Sequence, residues 1–461
     1  MKRIFVSFKM VNDYEQVLPE DWDAFLQEDA ALDYVRQIVN CFDESALELA
    51  LRIKDYYSQI GEETELTALT IANDSPSFFK TLFATGYDRV IRLTPSPGEN
   101  FSPLSIADKI LSFIREEQAG FDAFLFGQQA APFDSGQVPY FVAQGLGIPA
   151  ISNIISLKAE TDSLVAVSQK SDHILTYRIS SPAVCLIGNC KRTYLRVPTL
   201  REKLAVSKKE ALCHTFSVEE QPSYQPEHLV ETCQSVLLLI IIWNPEADQT
   251  LNILKNIPMK TALVDYRNSS QLPLLLSEAE KISEPSQIVY FELSGEPGQL
   301  PFSYLDSLSN LFESERPDLV LFPHTDDGCE LASRLSCLHR IDSLTNVTQV
   351  ETCNGQLILH KDIYNMNLAG TFPAARLPLC ATLSPAGKSA EEYRPELLRP
   401  SLPVLPSNTC DGQIHLIAKE PVIQEERLSD SDLIFACGRG LKEEDQKPVL
   451  RRTGRLFKTR L

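Results

Sequence analysis

A chain of 461 residues is long for a single hydrophobic core, so two or three domains are expected. Apolar residues make up 43% and charged residues 23%, ordinary proportions for a soluble globular protein. A formal charge of -19 argues against any chain-wide attraction to nucleic acid or to anionic membranes.

The N-terminus, "MKRIFVSFKM", has neither the apolar stretch nor the cleavage site of a signal peptide, and reads as a first strand over Arg3 to Phe8. From Asn40 to Tyr57 the residues Ala46, Leu47, Leu49, Ala50, Leu51 and Ile53 recur at helical spacing. A strand "LTALTI" (Leu66 to Ile71), a helix ending at "ATGYDR", a strand at Val90 to Leu93, a helix "IADKILSFIREEQ" and a strand "AFLFG" (Ala123 to Gly127) follow. Strands that are apolar on both faces and alternate with helices indicate a parallel sheet covered on each side.

The same pattern restarts after a polar, proline-containing loop at Gln221 to His228. "VLLLIIIW" (Val236 to Trp243) is far shorter than the roughly 20 residues that cross a bilayer, and is expected to be a buried strand. "TALVDY", "QIVYFEL" and "PDLVLF" (Pro317 to Phe322) are the later strands, with a helix near Tyr304 to Glu315. Asp122 aligns with Asp318, and in both copies a strand runs through a loop into a helix and then a β-rich stretch, which indicates a duplicated domain. The expected architecture is therefore α/β: two tandem related domains, 1–220 and 234–426, each a mostly parallel sheet with helices on both faces. The proline-rich Glu391 to Asn408 is read as a connecting arm or a surface loop, and 430–461 as the start of a third α/β unit.

No catalytic signature is present. The seven histidines occur singly, the eleven cysteines contain no CxxC pair, and neither GxSxG nor GxxxxGK[ST] occurs. The cysteine pattern suggests free thiols in a reducing cytoplasm. What remains is loop chemistry at the carboxyl ends of parallel strands, where open α/β sheets bind ligands. The loop "GQQAAPFDSGQ" (Gly127 to Gln137) joins a strand to a helix N-terminus that could receive an anion, with Gly127 allowing close approach and Asp134 and Ser135 suited to capping. Asn40 and Asp43 precede or open a helix, and capping alone could account for them. The segment Cys190 to Lys209 carries seven basic residues against one acidic, and is either a solvated basic face or a docking site for an acidic partner.

Five of these stretches, in order, resemble the β subunit of electron transfer flavoprotein: "NCFDESA" (Asn40 to Ala46), "TALTIA" (Thr67 to Ala72), "TGYDR" (Thr85 to Arg89), "GQQAAPFDSGQVP" (Gly127 to Pro139) and "RVPTLREKLAVSKK" (Arg196 to Lys209). The second half is similar to the N-terminal domain of the α subunit, so the chain looks like a β/α fusion with an adenine nucleotide hydrolase-like fold in each half. The resemblance implies AMP binding by Ser7, Asn40, Cys41, Phe42, Asp43, Ile71, Gly127, Gln128, Gln129, Ala130, Asp134, Ser135 and Gln137. It also implies that Leu200 anchors partner flavin dehydrogenases such as acyl-CoA dehydrogenases. Two departures stand out: Gln128 occupies the position of a family lysine, and Ala131, Pro132 and Phe133 replace Ile-Asp-Asp.

"ACGRGLK" corresponds to the opening of the α subunit's FAD domain and places Arg439 near a flavin; the "GQTGK" and "SGAIQH" motifs that should follow are absent. The FAD domain could come from a separate chain, or the gene could be truncated, which the basic last residues favour. The function implied is electron transfer from flavin dehydrogenases to an acceptor, as a carrier rather than a catalyst, with the FAD site incomplete in this chain. A degenerate AMP-binding or scaffold protein without redox activity is the alternative. No nucleic-acid partner and no membrane insertion are expected.

Overall fold

The computed structural model describes residues 1–28, 34–72, 75–95, 102–117, 120–170, 173–180, 182–215, 228–231, 261–266, 272–283, 288–293, 300–353, 356–374, 376–384 and 414–422. The expected strand at Val236 to Trp243, the arm at Glu391 to Asn408 and the unit 430–461 with Arg439 lie outside them. The chain divides into two compact units, residues 1–170 with 174–419, and residues 171–173 with 420–461. The elements that position the site all belong to the first.

In chain order the first half contains β1 (Lys2–Ser7), β2 (Met10–Asn12), α1 (Pro19–Glu28), β3 (Gln37–Val39), α2 (Cys41–Gln59), β4 (Thr64–Ile71), α3 (Pro76–Thr85), β5 (Arg89–Leu93), α4 (Pro103–Glu117) and β6 (Ala123–Gly127). It continues with α5 (Val138–Leu146), β7 (Ala150–Ala159), β8 (Leu164–Gln169), β9 (His173–Ile179), β10 (Ala183–Ile187), α6 (Leu200–Ala205) and β11 (Leu212–His214). The second half has β12 (His228–Glu231), β13 (Thr261–Tyr266), α7 (Leu272–Glu280), β14 (Ile288–Leu293), α8 (Leu305–Glu315), β15 (Leu319–Pro323) and α9 (Asp326–His339). β16 (Asp342–Cys353), β17 (Gln356–Ile363), β18 (Leu368–Pro373), β19 (Leu379–Leu383) and β20 (Ile414–Pro421) complete it.

Two large sheets result, with strand orders β11-β5-β4-β1-β6-β10-β7-β8-β9-β20 and β12-β18-β17-β16-β19-β15-β13-β14. In the first, β11 through β7 run parallel and β7, β8 and β9 are antiparallel. In the second, β14 through β16 are parallel, and β16, β17, β18 and β12 antiparallel. The parallel cores explain the strands' apolar composition, because both faces must be covered. Ile4 and Val6 of β1 join one buried cluster with Ala46, Leu47 and Ala50 of α2, while Phe5 between them joins the opposite cluster with Ile110 and Phe113 of α4. Each such Leu, Ile or Phe contributes roughly 1.5–3 kcal/mol by leaving water.

The duplication extends to strand register. Ala123 pairs with Ala183, and 196 residues later Leu319 pairs with Leu379. The strand after the helix carries the same bulge in both copies: four residues of β7 (Ile151 to Ile154) face three of β10, and four of β16 (Leu344 to Val347) face three of β19. In each bulge an asparagine takes the left-handed conformation, Asn153 at φ 49° and Asn346 at φ 60°. Asparagine tolerates that region better than most side chains, which accounts for its use in both places.

The two halves meet through the paired helices α5 and α9. Arg334 of α9 is fully buried there: it bonds Glu330 at 2.8 Å, Gln144 Oε1 at 3.3 Å and the Ile148 carbonyl at 3.2 Å, and lies over the Phe302 ring. Burial raises the Glu330 carboxyl and the Arg334 guanidinium opposes it. Lys170 reaches across to Asp327 at 2.9 Å, and the Tyr140 hydroxyl donates to the Asp326 carbonyl at 3.4 Å.

Candidate functional site

A cavity of about 170 Å³ opens at the carboxyl ends of β1, β4 and β6. Ile71, Pro95, Pro103, Ile106, Ile110 and Phe126 form an apolar slot. Ser7, Lys9, Thr70, the loop from Gly127 to Ala130 and the turn from Ser135 to Gln137 line its polar part. A flat apolar group and an anionic group could share such a cleft, the first between aliphatic walls and the second at the loop that leads into α5.

Asp43 fastens the floor. Its Oδ1 accepts from the Gly127 N–H at 2.8 Å and its Oδ2 from the Lys9 N–H at 2.9 Å, tying α2 to the ends of β1 and β6. Burial pushes this carboxyl up to about 7, against the two backbone N–H groups, the Asn40 amide and the Lys9 ammonium, all of which favour the ionised form. Only glycine fits at 127: a Cβ there would stand 2.2 Å from Asp43 Oδ1 and 2.8 Å from Phe42 Cβ. Gly136, at φ 61°, turns the loop back toward α5.

The capping explanations for these residues are overturned. Asn40 occupies the position before α2 but makes no side-chain cap bond; its amide instead donates to the Gln129 carbonyl at 2.8 Å and holds the loop. Asp43 is spent on Lys9 and Gly127. Asp134 and Ser135 do not cap α5, which starts at Val138 after Gln137. Asp134 accepts from the Asn365 N–H at 3.0 Å, and the Ser135 carbonyl accepts from Thr345 at 2.6 Å, so both are drawn to the second half. For Asn40, Asp43 and Asp134 tertiary partners outcompeted the local ones, while the Ser135 hydroxyl accepts from the Gln137 N–H at 3.4 Å.

Of the residues expected at the site, Ser7, Asp43, Ile71, Gly127, Gln128, Gln129, Ala130, Ser135 and Gln137 line the cleft. Asn40 supports it from behind. Cys41 is exposed at the start of α2, and Cys41, Phe42 and Asp134 are not part of the lining. Sequence reasoning missed Lys9 and Thr70. Lys9 lies one residue past the strand named as Arg3 to Phe8, and Thr70 falls within the strand Leu66 to Ile71.

Four buried side-chain oxygens among the described residues find no partner: Thr64 Oγ1, Thr70 Oγ1, Gln137 Oε1 and Ser333 Oγ. Thr70 and Gln137 are 1% exposed and line the cleft. Gln137 is oriented by its Nε2, which donates to Ser343 Oγ at 2.6 Å, leaving Oε1 without a donor. A buried polar atom left unpaired costs about 1–3 kcal/mol, and a polar ligand in the cleft would relieve that cost.

The basic segment after Cys190 forms a firm exposed knuckle. Arg196 bonds Glu48 through Nε at 3.1 Å and Asp55 through its guanidinium at 2.9 Å. Thr199 and Glu202 form a reciprocal capping box at the start of α6. Leu200, its first residue, is 73% exposed and Val197 88%, so apolar side chains stand outward on a fixed base.

One nearby Cys-His pair is chemically quiet. Cys329 Sγ lies 3.3 Å from His324 Nδ1, which also contacts Thr382 Oγ1 at 2.9 Å. Burial pushes the thiol up to about 12 and the imidazole down to about 4, so neither carries a charge at neutral pH and no activated thiolate forms. Among the described residues no group of histidine, cysteine and carboxylate side chains could hold a metal ion, and no helix is long and apolar enough to cross a membrane.

Comparison with known proteins places this geometry in context. The family described as electron transfer flavoprotein domain matches residues 31–189 and 278–395, covering both halves. YgcR of Escherichia coli (strain K12), a candidate electron transfer flavoprotein subunit, is 24% identical over 220 residues, 47% of this chain and 82% of YgcR. With α/β sheets in both matched segments and the family match extending over more than half of the residues, the chain belongs to the electron transfer flavoprotein domain family.

Proposed function

We propose that this chain serves electron transfer as a fused pair of β-like (1–220) and α-like (234–426) halves, and that the first-half cleft holds AMP. The observation that carries the AMP reading is the pair of orphaned oxygens, Thr70 Oγ1 and Gln137 Oε1, in a cleft lined by nine of the thirteen residues matched to the family's AMP site. The apolar slot suits an adenine ring and the polar end suits ribose and phosphate. AMP is not a redox group; buried between loop and sheet, it would act as a fixed part of the frame.

Electrons would pass through FAD, whose redox chemistry is the cofactor's own. Arg439, the residue matched to the flavin, lies in 430–461, outside the described residues, and a separate FAD-domain chain is one source of the rest of that site. Flavin dehydrogenases such as acyl-CoA dehydrogenases are the proposed donors, docking on Leu200. An exposed apolar anchor on a basic segment suits a transient contact with an acidic partner.

The test has two arms. Denaturing the gently purified chain and identifying the released small molecules should yield close to one AMP per chain. Adding FAD with candidate partner chains should give a protein-bound flavin absorbance. A chain that neither retains nor binds AMP sinks the cleft assignment. AMP without flavin under every partner condition leaves the nucleotide-binding scaffold as the function.

A further inference from the structure

The loop position at which the family carries a lysine is Gln128, and its side chain is committed elsewhere. Its Nε2 donates to Asp326 Oδ1 at 2.9 Å and its Oε1 accepts from the Asn153 N–H at 2.9 Å, so it joins the second half to the β7 bulge. The cleft nevertheless has a cation. Lys9 lies just past β1, and its backbone is held on both sides, its N–H by Asp43 and its carbonyl by the Asn40 N–H at 2.9 Å. Among the described residues no carboxylate lies within ion-pair distance of its ammonium.

We propose that Lys9 is the residue that receives the anionic group of a nucleoside monophosphate in this cleft, taking the part that the side chain at 128 has given up. The proposal rests on the AMP reading above and names the residue that discriminates nucleotide from nucleoside. The charged groups that act on Lys9 are Asp43 of α2 and Asp134 of the loop, and Asp134 is in turn influenced by Lys361 of β17. Each has its own partners: Asp43 holds two backbone N–H groups, Asp134 the Asn365 N–H, and Lys361 the Thr345 carbonyl at 2.7 Å and the Phe133 ring. Burial brings the Lys9 ammonium down to about 8, with Asp134 and Asp43 resisting. A phosphate would restore to it the opposite charge that these occupied carboxylates supply only in part.

The experiment is calorimetric titration of the full chain, stripped of nucleotide by mild unfolding and refolding, with AMP and with adenosine. The wild type should prefer AMP over adenosine by about 10- to 100-fold, the range of one charge-assisted contact. Lys9→Met should lower AMP affinity by that factor, leave adenosine affinity within about twofold, and so remove the preference. Lys9→Arg should restore most of it. Because Lys9→Met removes a desolvated charge that has no ion-pair partner, its thermal midpoint should not fall. If Lys9→Met binds both ligands with the wild-type ratio, the Lys9 assignment is overturned while the nucleotide cleft stands. If the wild type binds neither, the AMP reading fails and the assignment with it.

Discussion

After β6 the chain spends ten residues before α5 begins; after β15 it spends two before α9. The long loop bends over the strand ends, leaves α5 without a side-chain cap, and encloses the cleft. The short one is sealed by its own packing among the described residues. Thr325 caps α9 by accepting from the Gly328 N–H at 3.0 Å, a Cβ on Gly328 would fall 2.0 Å from the Pro323 carbonyl, and His324, Cys329 and Thr382 fill the space behind. α9 is 14 residues long against nine for α5, so the second copy restores as helix much of what it lacks as loop. One unit thus forms an open cleft in the first half and a packed turn in the second, and the length of the connection is one difference between them.

The strongest way to break this pairing is at Arg334, which ties the two helices together. Arg334→Ala should cost about 3–5 kcal/mol in urea unfolding, since it strands the buried Glu330 carboxylate. Arg334→Met should cost far less if paired with Glu330→Gln. A loss below about 1 kcal/mol for Arg334→Ala would mean that the halves do not depend on this clamp.

Gly127→Ala acts on the open copy alone. The methyl must displace Asp43 from the Gly127 and Lys9 N–H groups, so a loss of about 1–3 kcal/mol and of AMP retention is expected. Unchanged AMP content after this substitution would show that the floor of the cleft is not where the ligand rests.

His324 probes the sealed copy through pH. Its folded value, about 4, lies below the ordinary 6.5, so the unfolded chain takes up a proton first as pH falls. The stability that this provides is complete above about 6.5 and is lost as pH drops through about 4, on the order of 3 kcal/mol. Asp43, raised to about 7, changes stability in the opposite sense over part of that window, so the comparison must be wild type against His324→Gln. Parallel acid-unfolding curves for the two would refute the burial argument.

Much of the frame was legible in the sequence. The helix expected from Asn40 to Tyr57 is α2, and strands "LTALTI" and "AFLFG" are β4 and β6, because apolar periodicity and length determine such elements locally. The repeat aligned on Asp122 and Asp318 anticipates the 196-residue register offset of the paired strands. The site was read less completely. Side chains of Asn40, Asp43 and Asp134 suit caps by type, and nothing local reveals that their partners lie 34 to 231 residues away. Thr70 and Gln137 became conspicuous only through missing partners, which are a property of three-dimensional packing. Lys9 went unnoticed beside Ser7 because its importance depends on Gln128 being committed elsewhere.

The matched bulges at Asn153 and Asn346 mean that the strand after the helix re-enters the sheet in the same way whether the preceding loop is long or short. The joint between β6 and α5 is therefore a place where chain length can vary without disturbing the register on either side. A loop of ten residues transplanted between β15 and α9 would have a sheet already prepared for it, which makes the sealed copy a natural host for an engineered second pocket.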